Sequence, residues 1–435
     1  MKPAHLLTLT LTVLLAGCGG RPTGVLVPVA STVPDASAVE IVVATTRMPD
    51  PRPGEMYGGE RGNTVSFADI VVSIPPDSAR RIGEVQWPDR VPGDPAKNFV
   101  TLKAETIDLE EARAIVRKEA AKYRPRRVLL FVHGYNNRFD DAVYRFAQIV
   151  HDSKAPAAPV LFTWPSRASL LAYGYDRESA TYSRDALERV LAALAAYPNI
   201  DEVSVLAHSM GNWVTLEALR QMAIRDRRIP KKIANVMLAA PDVDVDVFRT
   251  QIQAMGEPRP HFTLFVSTDD RALAVSRRVW GSRSQLGAIN PNVEPYKSAL
   301  EKARLDVVDL SEVQTSDKLA HGKFAESPEV VRLIGTRLVE GQPVSDGRQA
   351  GLGDRIGELT TGAGAAVGAA AGLILTAPVA VIDSSTRENY GARVGELVPG
   401  VAGSPADPAT PPPPAKDGAV KGETKEHAAA GPAAP

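Results

Sequence analysis

Residues 207–211 read Ala-His-Ser-Met-Gly and lie where two sequence patterns meet. Residues 203–206 before them form a short, valine-containing apolar run typical of a buried strand, and residues 214–219 after them carry apolar side chains at helical spacing. A serine in a tight turn between a strand and a helix is typical of a nucleophile elbow, in which the hydroxyl stands clear of the sheet. Ser209 is therefore the candidate nucleophile. The alternative is that Ser209 only caps the following helix, because serine is a preferred N-cap residue.

A serine hydroxyl needs a base to take its proton, and the base must be held in one tautomer by an acid. The chain has seven histidines. His321 is the predicted base, because it follows the expected strand at 304–310 and precedes the last expected helix, in the chain order serine, acid, histidine. The other histidines lie in the terminal segments, within helix or strand patterns, or directly beside the serine. The alternative is that His321 is an ordinary surface-loop histidine.

The predicted acid is Asp270, which follows the apolar run 262–266 in the sequence Ser-Thr-Asp-Asp-Arg. Catalytic groups collect at the carboxyl ends of strands in open α/β sheets. Two alternatives remain open. Asp242 follows the preceding strand, and Asp269 lies one residue before Asp270.

Two backbone N–H groups must also point at the charge that develops on a substrate oxygen. Met210 follows the nucleophile and is predicted to supply one of them. The apolar run 128–132 leads into His133-Gly134-Tyr135, and the Tyr135 N–H is the predicted second donor. The alternative is an ordinary turn between a strand and a helix.

The elements that must position these residues follow a regular order. From residue 126 to 341, apolar runs alternate with helical patterns, which predicts an α/β fold with a mostly parallel sheet covered by helices on both faces. Residues 39–125 are predicted to add strands at 39–44, 67–74 and 98–107 and a helix at 109–123. Residues 48–63 are rich in proline, glycine and charge, which predicts a loop.

Several motifs together resemble the α/β-hydrolase superfamily. They are Val-Val-Ala-Thr-Thr-Arg at 42–47, Phe-Val-His-Gly-Tyr-Asn-Asn at 131–137, Phe-Thr-Trp-Pro-Ser at 162–166, Ala-His-Ser-Met-Gly-Asn at 207–212, Ala-Ala-Pro-Asp-Val-Asp at 239–244 and Asp-Asp-Arg-Ala-Leu-Ala at 269–274. As a set they resemble a bacterial branch of uncharacterised esterase- and lipase-like hydrolases. The resemblance implies an α/β-hydrolase fold and serine ester hydrolysis without a cofactor, and it implies no particular substrate.

The composition narrows the classes of function. The chain has 435 residues, 44% of them hydrophobic, and its 50 basic and 51 acidic residues leave a formal net charge of −1. This balance argues against a nucleic-acid partner. The single cysteine excludes an intramolecular disulfide and argues against a cysteine–histidine metal site.

That cysteine ends an N-terminal segment with a targeting pattern. A short basic start is followed by an apolar stretch too brief to span a bilayer and then by Leu-Ala-Gly-Cys at 15–18. Residues 1–18 resemble a bacterial lipoprotein signal that ends at a lipidated Cys18. This predicts a membrane-anchored lipoprotein of the cell envelope, at the outer membrane in a Gram-negative host, with residues 19–38 as a flexible tether. The alternative is an ordinary secretory signal with an incidental cysteine.

Beyond residue 341 the composition changes. Residues 342–400 are rich in glycine and alanine, and the uncharged stretch 360–382 carries Gly364, Gly368 and Gly372 on one helical face. This stretch is predicted to make a close helix contact at the membrane, with a spanning helix and a low-complexity linker as alternatives. Residues 401–435 are rich in proline and alanine and are predicted to be disordered.

The sequence thus predicts an envelope serine hydrolase that cleaves a carboxylic ester with an apolar acyl part, through Ser209, His321 and Asp270. Two alternatives stay open. The enzyme could be a thioesterase or an amidase of the same fold, or the chain could be an envelope scaffold with little catalysis.

Overall fold

The computed structural model describes residues 22–30, 32–280, 284–315 and 317–340. The strands in these residues are β1 (Ser37–Pro49), β2 (Tyr57–Ile74), β3 (Val100–Ile107), β4 (Arg127–Val132), β5 (Ala158–Thr163), β6 (Glu202–His208), β7 (Ile233–Ala239), β8 (His261–Val266) and β9 (Asp306–Asp309). The α-helices are α1 (Leu109–Ala120), α2 (Phe139–Ser153), α3 (Tyr173–Ala196), α4 (Met210–Asp226), α5 (Val245–Met255), α6 (Arg271–Trp280), α7 (Tyr296–Lys302), α8 (Lys323–Glu326) and α9 (Pro328–Glu340).

The strands form one sheet in the order β3-β2-β1-β5-β4-β6-β7-β8-β9. The β1–β2 and β2–β3 pairs are antiparallel, and every pair from β1–β5 onward is parallel. The predicted α/β fold with a mostly parallel sheet, flanking helices and an N-terminal strand-containing part is confirmed.

Helices cover both faces of the sheet. In β4, Leu130 faces a core shared with α1, α3, α4 and α5, whereas its neighbours Leu129 and Phe131 face a core shared with α2 and α9. All three side chains are almost completely buried. Alternation of apolar side chains onto two packed faces explains why the central strands read as continuous apolar runs.

The register of the parallel strands brings their carboxyl ends to one edge. Val132 at the end of β4 pairs with Phe162 of β5 on one side and with Ala207 of β6 on the other. The same alignment continues through β7, β8 and β9. The loops after these strands therefore meet at a single edge of the sheet, here called the carboxyl edge.

The prediction of a loop at residues 48–63 is wrong over much of this range. β1 continues to Pro49 and β2 begins at Tyr57, so the two strands form a hairpin. The pairs nearest the turn of this hairpin lie beyond the last residue of β1 that pairs with β5. Glycine has a low strand propensity, which explains why this glycine-rich segment was predicted to be a loop. Contacts from α3 offset that propensity, because the Tyr175 and Tyr182 hydroxyls donate to the carbonyls of Gly59 and Gly62.

The tether predicted for residues 19–38 also differs from the structure. Val25 and Leu26 are buried, and the Val25 carbonyl accepts hydrogen bonds from the side chains of Thr101 and Tyr144. The packed domain therefore includes residues upstream of β1. The predictions for Cys18, for residues 360–382 and for the tail at 401–435 lie outside the described residues. No helix within the described ranges is long and apolar enough to cross a bilayer.

Candidate active site

Ser209 lies on the turn between β6 and α4, where the sequence predicts an elbow. Its backbone has φ of 52° and ψ of −123°, a conformation that L-residues rarely adopt and that marks a strained turn. The turn is also crowded, because a Cβ atom at Gly211 would lie 2.4 Å from the carbonyl oxygen of His133. The Ser209 side chain makes no capping hydrogen bond to α4, so the capping alternative does not describe this serine.

Asp270 and His321 are joined directly at the carboxyl edge. His321 Nδ1 lies 2.7 Å from Asp270 Oδ2, and the Asp270 side chain is completely buried. Asp270 comes from the loop after β8 and His321 from the loop after β9. Burial lowers the pKa of His321, but the charge and hydrogen bond of Asp270, together with the charges of Asp242 and Asp317, outweigh burial and raise it above its usual value.

The loop that carries His321 is held by Asp317. One carboxylate oxygen of Asp317 accepts the backbone N–H groups of His321 and Gly322 at 2.8 and 3.1 Å, and the other accepts that of Leu319 at 2.9 Å. Burial raises the pKa of Asp317, but these hydrogen bonds and the charge of His321 lower it overall. The negative charge of Asp317 therefore both shapes the loop and favours the protonated form of His321.

His208 links the elbow to the histidine loop. Its ring centroid lies 4.7 Å from that of His321 and 4.5 Å from that of Phe324, and its Nε2 lies 3.3 Å from the His321 carbonyl oxygen. Burial, with the charge of His321, holds the pKa of His208 well below the usual value. His208 is therefore neutral near neutral pH and positions His321 by contact. The elbow serine and the Asp270–His321 pair are thus neighbours at one edge, although Ser209 Oγ makes no hydrogen bond to His321. Such nucleophile–base bonds are often long in unliganded enzymes.

The two alternative acids have other partners. Asp242 is buried and accepts hydrogen bonds from the Tyr173 hydroxyl at 2.8 Å and from Ser276 Oγ at 3.0 Å. Asp269 pairs with the buried Lys323, whose Nζ lies 2.7 and 2.9 Å from its two carboxylate oxygens. Neither carboxylate forms a hydrogen bond with His321.

The predicted oxyanion donors border the elbow. Met210 opens α4, where the first N–H groups of a helix have no intrahelical acceptor. Tyr135 lies in the loop after β4, and within the described residues no hydrogen bond occupies its N–H. The Tyr135 and Gly134 carbonyls are both bound by Asn137 Nδ2, at 2.8 and 3.2 Å. This side-chain clamp fixes the direction of the peptide groups in the loop.

His133 supports the same loop, in a role that the sequence did not predict. Its Nε2 accepts the Trp164 backbone N–H at 3.1 Å, so the proton resides on Nδ1, which donates to the Gly134 carbonyl at 2.8 Å. Burial and the charge of Arg47 lower the pKa of His133 to about 3. A histidine that stays neutral keeps this bonding pattern across the physiological range of pH.

Arg47 is a second residue that sequence reasoning missed. It is fully buried at the end of the β1–β2 hairpin, and its guanidinium donates to Thr163 Oγ1 at 2.7 Å, to the Ser166 carbonyl at 3.0 Å and to the Asn137 carbonyl at 2.8 Å. Burial lowers the pKa of Arg47 to about 10, so the group remains charged at neutral pH. It thereby ties the loops after β4 and β5 together. A Thr-Thr-Arg sequence at the end of an apolar strand is the only signal that could have indicated it.

Among the described residues, no group of three or more histidine, cysteine, aspartate or glutamate side chains is arranged to hold a metal ion. The candidate catalytic groups at the carboxyl edge are Ser209, His321 and Asp270, with the backbone amides around them.

One comparison with known proteins agrees with this architecture. A family model described as an α/β hydrolase of unknown function, DUF900, matches residues 108–337, more than half of the chain. The chain belongs to this family of α/β hydrolases. None of the curated proteins matches it. One similar solved structure belongs to a study of two fungal esterases from Rhizomucor miehei and their substrate specificity. It is 14% identical, with 71% of this chain and 85% of that chain covered and a TM-score of 0.30.

Proposed function

We propose that this protein is a serine hydrolase that cleaves carboxylic esters through an acyl-enzyme. The observation that carries the proposal is the 2.7 Å hydrogen bond between Asp270 and His321 at the edge where Ser209 occupies a strained elbow. Ser209 is the nucleophile, His321 the base, and Asp270 the acid that orients the imidazole.

In this mechanism His321 Nε2 takes the proton of Ser209 as Oγ attacks the ester carbonyl carbon. The buried carboxylate of Asp270 stabilises the imidazolium that forms, and the N–H groups of Tyr135 and Met210 stabilise the oxyanion. The imidazolium then gives its proton to the departing alkoxide, which leaves an acyl group on Ser209. Water activated by His321 attacks this acyl-enzyme, and collapse of the second tetrahedral intermediate releases the acid.

An apolar acyl part is favoured by the surface beside the site. Leu170 and Leu171 are 74% and 98% exposed and lie on the segment between β5 and α3. This segment borders the oxyanion loop, because the Tyr135 hydroxyl donates to the Ser169 carbonyl at 3.1 Å. Two adjacent exposed leucines provide apolar surface that a hydrocarbon chain could cover.

The test combines covalent labelling with ester hydrolysis. The wild-type chain should react with a fluorophosphonate probe and hydrolyse p-nitrophenyl esters, and Ser209→Ala should lose turnover on the order of a million-fold while keeping its fold. The matched control is Ser204→Ala, because Ser204 is a buried serine of β6, the strand that leads into the elbow. This control variant should keep both activities.

Two results would contradict the proposal. One is a folded wild-type chain that is neither labelled nor active, which would favour the scaffold alternative. The other is a Ser209→Ala variant that retains turnover, which would show that another residue is the nucleophile.

A further inference from the structure

A cavity lies apart from the carboxyl edge, on the face of the sheet formed by β1 and β5. It has a volume of about 360 Å³ and is bounded by α1 on one side and by the second half of α3 on the other. Tyr197 and Ile200, which precede β6, line it, whereas Ser209 follows β6. The cavity therefore extends toward the edge of the sheet opposite the catalytic groups.

The floor of this cavity is apolar. Val42 and Ala44 of β1 and Val160 of β5 form its base, and each is at most 4% exposed. Ala112 and Ala186, one from each bounding helix, add small buried side chains that leave space between the helices. A concave apolar site of this volume is within the range that small-molecule ligands occupy in proteins.

The charged residues that line the cavity are both arginines. Arg113 comes from α1 and Arg189 from α3, and the lining includes no aspartate or glutamate. Arg113 is paired with Glu110 on its own helix. Arg189 is exposed and interacts electrostatically with Asp185, one turn earlier on α3, but among the described residues no hydrogen bond or ion pair holds its guanidinium. An apolar cavity whose lining carries two guanidinium groups and no carboxylate is complementary to a molecule with a hydrocarbon chain and one anionic end.

We propose that this cavity between α1 and α3 binds the hydrocarbon chain of a single-chain carboxylate amphiphile, such as a fatty acid, with Arg189 at the carboxylate. Arg113 adds positive charge on the opposite wall. The site does not depend on the proposed hydrolysis, because none of its lining residues belongs to the catalytic groups or to the loops that carry them.

The test measures binding of decanoate to the full-length chain by displacement of a dansyl-undecanoate probe, followed by its fluorescence. Wild type should bind one probe per chain, and decanoate should displace it. Arg189→Glu should weaken decanoate binding about five- to ten-fold, since it replaces attraction at an exposed position by repulsion. The neutral analogue 1-decanol should bind wild type and Arg189→Glu equally. Arg184→Glu, on the same helix but outside the cavity lining, is the matched control and should leave decanoate binding unchanged.

A second variant tests the cavity itself. Ala193 lines the cavity at an exposed position of α3, so Ala193→Trp can obstruct it without disturbing the core. This variant should lose binding of both the probe and 1-decanol while retaining its circular dichroism spectrum and its rate of p-nitrophenyl butyrate hydrolysis. Failure of wild type to bind the probe would overturn the proposal. Unchanged binding in both Arg189→Glu and Ala193→Trp would also overturn it, because the ligand would then occupy another site, the catalytic one included.

Discussion

Replacing Asp270 by asparagine should change the tautomer of His321. The Asp270 carboxylate uses Oδ1 to accept the Leu273 backbone N–H at 3.0 Å and Oδ2 to contact His321 Nδ1 at 2.7 Å. In Asp270→Asn the amide oxygen keeps the bond to Leu273, and the NH₂ group then faces Nδ1. Because an NH₂ group can only donate, Nδ1 must accept, and the proton of His321 must lie on Nε2. Nε2 can then no longer accept the proton of Ser209. The same substitution in a serine-protease triad lowers kcat about ten-thousand-fold, and we expect a loss of that order.

The matched control for this prediction is Asp242→Asn. The partners of Asp242 are the hydroxyls of Tyr173 and Ser276, which can rotate to accept hydrogen bonds as readily as they donate them. We therefore expect kcat to fall by less than about ten-fold. Asp242 forms no hydrogen bond with His321, so its replacement does not change the tautomer of that histidine. Both variants are assayed for kcat with p-nitrophenyl butyrate and for folding by thermal denaturation.

The pH profile gives an independent measure. Asp270 raises the pKa of His321 against the lowering effect of burial. In Asp270→Asn only the lowering by burial and the weaker charges remain, so the acid limb of kcat/KM should move to lower pH. A larger loss of kcat in Asp242→Asn than in Asp270→Asn would refute this reasoning and would place the acid one strand earlier.

Three further predictions concern the support of the site, the buried charges and the membrane anchor. Arg47→Lys should lower kcat by about 100-fold, since small displacements of positioning groups have effects of that size. A lysine cannot reach all the acceptors that the guanidinium binds. The control variant Arg52→Lys, at an exposed position, should leave kcat unchanged. Burial and the Asp141 charge raise the pKa of Asp140 from 3.8 to about 7, so its contribution to folding stability is present below pH 4 and lost as pH rises through 7. Urea denaturation should therefore show that, between pH 4 and pH 7, the free energy of unfolding of wild type falls by up to about 4 kcal/mol more than that of Asp140→Asn. An equal fall in the two proteins would contradict this prediction. Cys18→Ala should abolish labelling by a clickable fatty acid and release the chain from the membrane fraction, and an unlabelled wild type would contradict the lipoprotein prediction.

Local sequence patterns were sufficient to predict most of the helices and strands and the turn at Ser209. The change from an apolar run to helical spacing around Ser209 is a property of neighbouring residues, and so is the alternation of strands and helices that predicts a parallel sheet. Chain order then indicated His321, because few histidines lie in loops after a strand. These inferences needed no knowledge of which loops meet in space.

Only the tertiary structure decided which carboxylate contacts His321. Asp242, Asp269 and Asp270 all follow strands whose carboxyl ends lie at the same edge, so the sequence favoured Asp270 but left the other two open. The fold directs Asp242 toward Tyr173 and Asp269 toward Lys323, and it leaves Asp270 at hydrogen-bond distance from the histidine.

The same limit explains why the sequence did not predict the full β1–β2 hairpin or the burial of Arg47. Residues 57–63 have low intrinsic strand propensity, and they become a strand because β1 and α3 supply partners that are remote in sequence. An arginine after an apolar run usually points to solvent. Here Arg47 is surrounded by acceptors from β2, from the end of β5 and from the loop after β4, and they make its burial possible. Sequence periodicity reports the environment of one element at a time, whereas the pairing of buried polar groups depends on several elements that meet only in the folded chain.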